Sequence, residues 1–299
     1  MSRFFTLGFL AQCLRIALPY LAAAMGGVLS ERAGIVNVAL EGTMLVGALF
    51  AVLGTTAFGS PWAGLLLALL AGMALQLLHA VAVLFGRANA IVSGIALNLL
   101  AAGGTRFLLR AAYDSASNSP AIPSLSRASS QSLLVATLLD PSTWIVVALV
   151  VATIVMLRST AFGLRVRAVG EHPEAAASAG VSIVATRLVA VCLAGAAAGL
   201  GGAWLAFDEH QFSSGMSGGR GFIALAAVVV SGWRPGRAAL FCLLFGGAEA
   251  AQIALQDQHV VPHHLVQMFP YLATLIALAG LVGRSRPPAA LGKTYPDSP

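Results

Sequence analysis

The sequence predicts an all-α polytopic membrane protein with about nine transmembrane or re-entrant segments. Three observations carry this. First, of 299 residues 58% are hydrophobic and 9% charged, with a mean hydropathy of +0.87, whereas a soluble domain carries about 25% charged residues. Second, apolar stretches near the roughly 20 residues needed to cross a bilayer recur along the whole chain. Third, the net charge of +6 comes from sparse Arg residues at the ends of those stretches, which reads as membrane topology rather than as a nucleic-acid-binding face.

Taken in order, the long stretches fall at 8–29, 61–85, 90–110, 141–158, 187–207, 237–256 and 265–283. The run after Arg3 is interrupted by Arg15 and no cleavage site follows, so the first stretch reads as a retained span, not a signal peptide. Two shorter stretches, 38–57 and 221–233, are punctuated by glycine and preceded by polar segments, which makes them candidates for broken or re-entrant helices. The segment 111–140 is rich in Ser and Pro without periodicity and reads as an external loop. Within 187–207, Gly195, Gly199, Gly201, Gly202 and Ala203 give small residues every turn, a close-packing face. The tail after Gly283 is Pro-rich and reads as extended.

Four segments precede the 141–158 span and four follow it with similar lengths and gaps. One intervening span sets the halves in opposite orientation, the inverted-repeat plan of many transporters. The chain is then one membrane domain, 1–299, with pore candidates at Gly34–Gly47 and Gly215–Gly232. Placing 158–187 in the cytoplasm puts eleven of the seventeen Lys and Arg residues inside, as the positive-inside bias requires. The N-terminus is then outside and the C-terminus cytoplasmic.

The island 159–186 is polar and charged between two apolar spans. Pro173 suits a first helical position, Glu174 sits in the first turn where the helix dipole favours an anion, Ala175–Ala177 propagate, and Gly180 can take the left-handed stop. A helix of about two turns follows, flanked by Arg158, Arg165, Arg167 and Arg187. A second polar cluster, Ser30–Gly42, carries Asn37 and Glu41 into an apolar segment, where charge is costly unless it faces a cavity or a partner. Gln76, His79, Asn98 and Glu249 are polar residues inside spans, each open to a helix–helix hydrogen bond or a pore-lining role.

Several patterns point away from chemistry. Gly292-Lys293-Thr294 lacks the earlier glycine of a phosphate loop, where Pro287 stands. Gly215-Met216-Ser217-Gly218-Gly219 fits G-x-S-x-G but joins two membrane segments instead of a strand and a helix. His263-His264 lacks metal-ligand spacing, and Cys13, Cys192 and Cys242 read as small buried hydrophobes.

Four stretches in order resemble the signatures of bacterial nucleoside ABC transporter permeases, relatives of the ribose-type permeases: Ser30-Glu31-Arg32 through Glu41-Gly42, Phe162-Gly163-Leu164-Arg165 through Ala176, Gly221–Ala227 with Gly232-Trp233-Arg234-Pro235, and the tail from Gly283-Arg284 to Tyr295. Arg220, where some relatives carry a polar residue such as Gln, departs from the pattern. The resemblance implies the ABC importer permease fold and a coupling helix made by Glu171, Pro173, Glu174, Ala175, Ala176 and Gly180. It implies a heterodimer with a second permease subunit, two ATP-binding subunits and an external substrate-binding lipoprotein in the bacterial inner membrane. This chain would hold no cofactor, ATP being bound by the partner subunits, and would not be an enzyme. Asn37, Glu41, Asn98 and Arg220 are the expected polar groups of the substrate path. A sugar or other small-molecule permease is the alternative within the class; an ion-coupled secondary transporter using Glu41 or Glu249 is the alternative outside it.

Overall fold

The structure, a computed structural model, describes residues 7–125, 133–256 and 286–293. These form eleven helices: α1 (Leu7–Arg32), α2 (Leu40–Phe58), α3 (Pro61–Leu84), α4 (Ala90–Tyr113), α5 (Leu133–Leu139), α6 (Pro141–Ser159), α7 (Ala161–Glu171), α8 (Pro173–Ser178), α9 (Ile183–Asp208), α10 (Arg220–Val230) and α11 (Pro235–Gln256). Among the described residues, seven helices (α1, α2, α3, α4, α6, α9, α11) are long and apolar enough to cross a membrane. The expected 265–283 span and His263-His264 lie outside the described residues.

Local chemistry sets the helix starts. Asn89 accepts from the Ile91 and Val92 N–H groups at 2.9 and 3.2 Å, Asp140 from Ser142 N at 2.9 Å, Thr160 from Gly163 N at 3.1 Å and Ser182 from Ala185 N at 3.3 Å. Each satisfies a donor that the first helical turn leaves open. Pro61, Pro141 and Pro173 occupy first positions, where a missing N–H costs nothing.

Helix α9 is the hub, packed along α1, α2 and α3. The expected small-residue face supplies the contact. Gly195 lies against Gly72 of α3 and Gly199 against Ala68 of α3 and Gly47 of α2, so that backbones approach where any side chain would collide. The opposite faces of the outer helices are apolar and open: Leu66 is 59% exposed, Leu99 70%, Phe107 71% and Trp144 58%. Exposed apolar side chains of this kind, on helices long and apolar enough to cross a membrane, suit a lipid-facing surface.

Three expectations need correction. The 38–57 stretch is not broken: α2 is continuous over 19 residues. Its glycines serve close approach, Gly42 to α4, Gly47 to α9 and Gly54 to α3, and the break falls earlier, at 33–39. The island holds two helices instead of one: the basic stretch before Pro173 forms α7, in which Gly163 and Gly170 fit against the backbones of Met156 and Arg32. The 111–140 loop contains the short helix α5, and its first half is pinned to the α9–α10 connection by Ser119 N→Phe212 O at 2.9 Å and Ile122 N→His210 O at 2.7 Å.

Candidate functional site: a broken segment and the tip of a half-helix

Residues 33–39 between α1 and α2 form no regular structure. Unpaired backbone groups at membrane depth are tolerated only where protein or water satisfies them, and here nearly every carbonyl has a donor. Arg187 Nε donates to Ala33 O at 3.0 Å and Gly292 N to Gly34 O at 2.9 Å. Ser30 Oγ donates to Ile35 O at 2.9 Å, His79 Nε2 to Val36 O at 3.0 Å and Asn98 Nδ2 to Val38 O at 3.0 Å. The Val36 carbonyl can only accept, so Nε2 carries a proton there, and Nδ1 meets Ser93 Oγ at 3.0 Å. Asn37 and Gln76 exchange a reciprocal pair at 3.0 Å, and Gln76 also donates to Thr43 Oγ1 at 2.9 Å.

Helix α10 is the second half of the arrangement. With 11 residues it cannot span, and its N-terminus has no side-chain cap of its own. Glu41 of α2 supplies one: Oε1 accepts from Gly219 N at 2.8 Å and Oε2 from Gly221 N at 2.7 Å. A carboxylate meeting the positive end of a helix is a charge-assisted pairing. Gly221 must lack a side chain, because a Cβ there would come within 2.5 Å of Glu41 Cα. Beside this tip Arg220 pairs with Glu249 of α11 at 3.2 Å and donates to Met216 O at 2.9 Å, while the Tyr20 hydroxyl of α1 donates to the other Glu249 oxygen. At the far end of α10, Trp233 Nε1 donates to Glu31 at 2.5 Å and Arg32 Nε to Trp233 O at 2.8 Å.

The expected path residues thus divide. Glu41 and Arg220 meet at the α10 tip, both partly exposed, each with its own partner rather than paired to one another. Asn37, fully buried, and Asn98 hold the broken segment through Gln76, Val38 O and Gly42 N. Sequence reasoning flagged Gln76, His79, Asn98 and Glu249 by their polarity without assigning partners. It missed Tyr20, and it set Arg187 among the surface cations although only 1% of that residue is exposed.

On the side of the molecule where α1 ends and α9 begins, the charged island is built as expected. Pro173 opens α8, Glu174 stands exposed in its first turn, and Gly180 takes φ +77 just after it. Ala175 faces outward, whereas Ala176 is 4% exposed and seats α8 against Val169 and Ile183. Glu171 pairs with Arg32 at 3.6 Å and accepts from Ala289 N at 3.3 Å. The 286–293 strand of tail links this corner to the broken segment through Ala290 N→Gly170 O and Gly292 N→Gly34 O, both 2.9 Å, with Arg187 Nη1 donating to Lys293 O at 3.2 Å.

Seven helices long and apolar enough to cross a membrane, an irregular segment satisfied by buried side chains and a half-helix whose tip meets a carboxylate fit a multi-pass membrane protein. The chain belongs to the family described as "Branched-chain amino acid transport system / permease component", whose model matches residues 9–278. It is 36% identical to the guanosine ABC transporter permease protein NupQ of Bacillus subtilis over 93% of each chain. It is 37% identical to the nucleoside ABC transporter permease protein NupC of Lactococcus lactis over 95% of each. A putative glucose ABC transporter permease protein, TsgC13 of Haloferax volcanii, is 32% identical over 97% of this chain and 98% of its own. No solved structure matches.

Proposed function

We propose that this chain is the permease subunit of an ABC importer for nucleosides, forming half of the translocation path. The single observation that carries the reading is the exposed α8 helix: its outward face, Glu174 and Ala175, is free to dock, while Ala176 and the Glu171–Arg32 pair tie it to the bundle. The nucleoside and guanosine permeases among the relatives favour that substrate class; the putative glucose permease keeps a sugar as the second reading. Two ATP-binding subunits, a second permease subunit and an external lipoprotein complete the importer. The substrate passes the α10 tip, with Glu41 and Arg220 at its wall. Asn37 and Asn98 act one layer behind by fixing the segment that carries Glu41.

The inverted-repeat arrangement of nine segments belongs to the same proposal. Reciprocal packing supports it: the first helix of each half, α1 or α9, packs on the third helix of the other, α11 or α3. The membrane domain, its 159–186 coupling loop and its 111–140 external loop follow, with the N-terminus outside and the C-terminus cytoplasmic. An impermeant thiol reagent applied to intact cells should label a cysteine at Ser117 and spare one at Ser298. The reverse pattern overturns the orientation.

Coupling is tested at Gly180. A Cβ there meets nothing within 4 Å, so Gly180→Val acts only through its φ of +77, which a β-branched residue resists. Together with Glu174→Lys, which opposes the helix dipole, it should lower substrate-stimulated ATPase activity and uptake several-fold while the permease still reaches the membrane. Unchanged coupling in both variants removes α8 from the transmission path.

A further inference from the structure

At the end of the bundle away from α8, the start of α6, α5, and parts of α1 and α9 enclose a cavity of about 170 Å³. Three of its lining residues, Arg15, Asp140 and Asp208, keep hydrogen-bonding capacity open among the described residues. Arg15 donates through both Nε and Nη2 to one oxygen, Asp208 Oδ1, each at 2.5 Å. Asp208 Oδ2 and Arg15 Nη1 have no partner among the described residues. Asp140 spends Oδ1 on Ser142 N at 2.9 Å and Ser142 Oγ at 2.6 Å, which leaves its second oxygen in the same condition. Trp204 and Phe207, 6% and 4% exposed, give the lining an apolar wall.

We propose that this cavity binds the pentose ring of a neutral substrate. Two carboxylate oxygens accept from neighbouring hydroxyls, the free guanidinium N–H donates to a ring or hydroxyl oxygen, and the indole and phenyl groups cover the C–H face of the sugar. The volume decides the size class. It falls below the roughly 300–1,000 Å³ of sites that enclose drug-sized ligands, so the ring enters and a base stays at the mouth beside exposed His210. The charge decides the chemistry. Asp140 and Asp208 outnumber Arg15, so a phosphorylated sugar meets like charge. The site is distinct from the α10 tip and rests on the importer reading only for the source of the pentose.

Equilibrium binding to the assembled transporter in lipid nanodiscs, without the external lipoprotein, tests this with tritiated ribose and tritiated guanosine as probes. Ribose should saturate one site per copy of this chain, and ribose 5-phosphate should compete at least tenfold more weakly. Asp208→Asn, which keeps one oxygen for Arg15, should weaken binding at least tenfold. Ala136→Leu, which fills the cavity without removing a polar group, should abolish it, while Gly103→Ala, where an added Cβ meets nothing within 4 Å, leaves it unchanged. Saturation by guanosine as well identifies a nucleoside as the natural source, and saturation by ribose alone a free pentose. Absence of ribose binding, or binding indifferent to both Asp208→Asn and Ala136→Leu, overturns the proposal. The importer reading is untouched by that result, because uptake by the unaltered transporter is measured separately.

Discussion

Glu41→Gln is expected to reduce substrate uptake at least tenfold while the protein still inserts and assembles. The carboxylate holds two N–H groups at the start of α10, at 2.8 and 2.7 Å from Gly219 N and Gly221 N. An amide can satisfy only one of them and turns its own NH2 toward the other. A hydrogen bond to a charged group contributes about 1.5–3 kcal/mol, and each 1.4 kcal/mol or so is a factor of ten, so the tip of the half-helix shifts or frays. Because Glu41 is followed by 17 residues of uninterrupted helix and α2 packs chiefly on α3 and α9, insertion is spared. Uptake in cells, normalised to permease in the membrane fraction, gives the measurement. Wild-type uptake would detach the α10 tip from the path, and loss of the protein itself would make Glu41 a folding residue.

Gly47→Val should be the more damaging change to stability. A Cβ at position 47 would lie 2.6 Å from Gly199 O and 2.7 Å from Gly199 Cα, both rigid backbone atoms of the hub helix. Neither can yield without moving α2 off α9, and overpacking of that kind costs about 1–3 kcal/mol, more where rigid backbone is the obstacle. Gly103→Val provides the comparison, since a Cβ there meets nothing within 4 Å. Heating detergent-solubilised protein and measuring the monodisperse fraction should separate the two by many degrees, with Gly103→Val close to the parent. Equal stability would mean that the α2–α9 contact is looser than its geometry.

The sequence by itself determined the membrane class, the long apolar helices and the start and stop of α8. Hydropathy over a window and hydrogen bonds within three residues are local quantities: Asn89 capping α4, Pro173 opening α8 and Gly180 ending it all act on their immediate neighbours. The small-residue face of α9 was legible for the same reason, because its period lies within one helix. Only the tertiary structure decided what the buried polar groups do. Gln76 lies 39 residues from Asn37, Asn98 is 60 from Val38, Arg187 is 154 from Ala33, and Glu41 is 178 from Gly219. Polarity inside an apolar stretch announces that a partner exists, since desolvation makes an unpaired group costly. It does not say which one. That choice was made when α2, α3, α4 and α9 packed around one another and left the 33–39 backbone in need of donors, and when the 11-residue α10 began without a cap of its own and left its first N–H groups in need of a carboxylate.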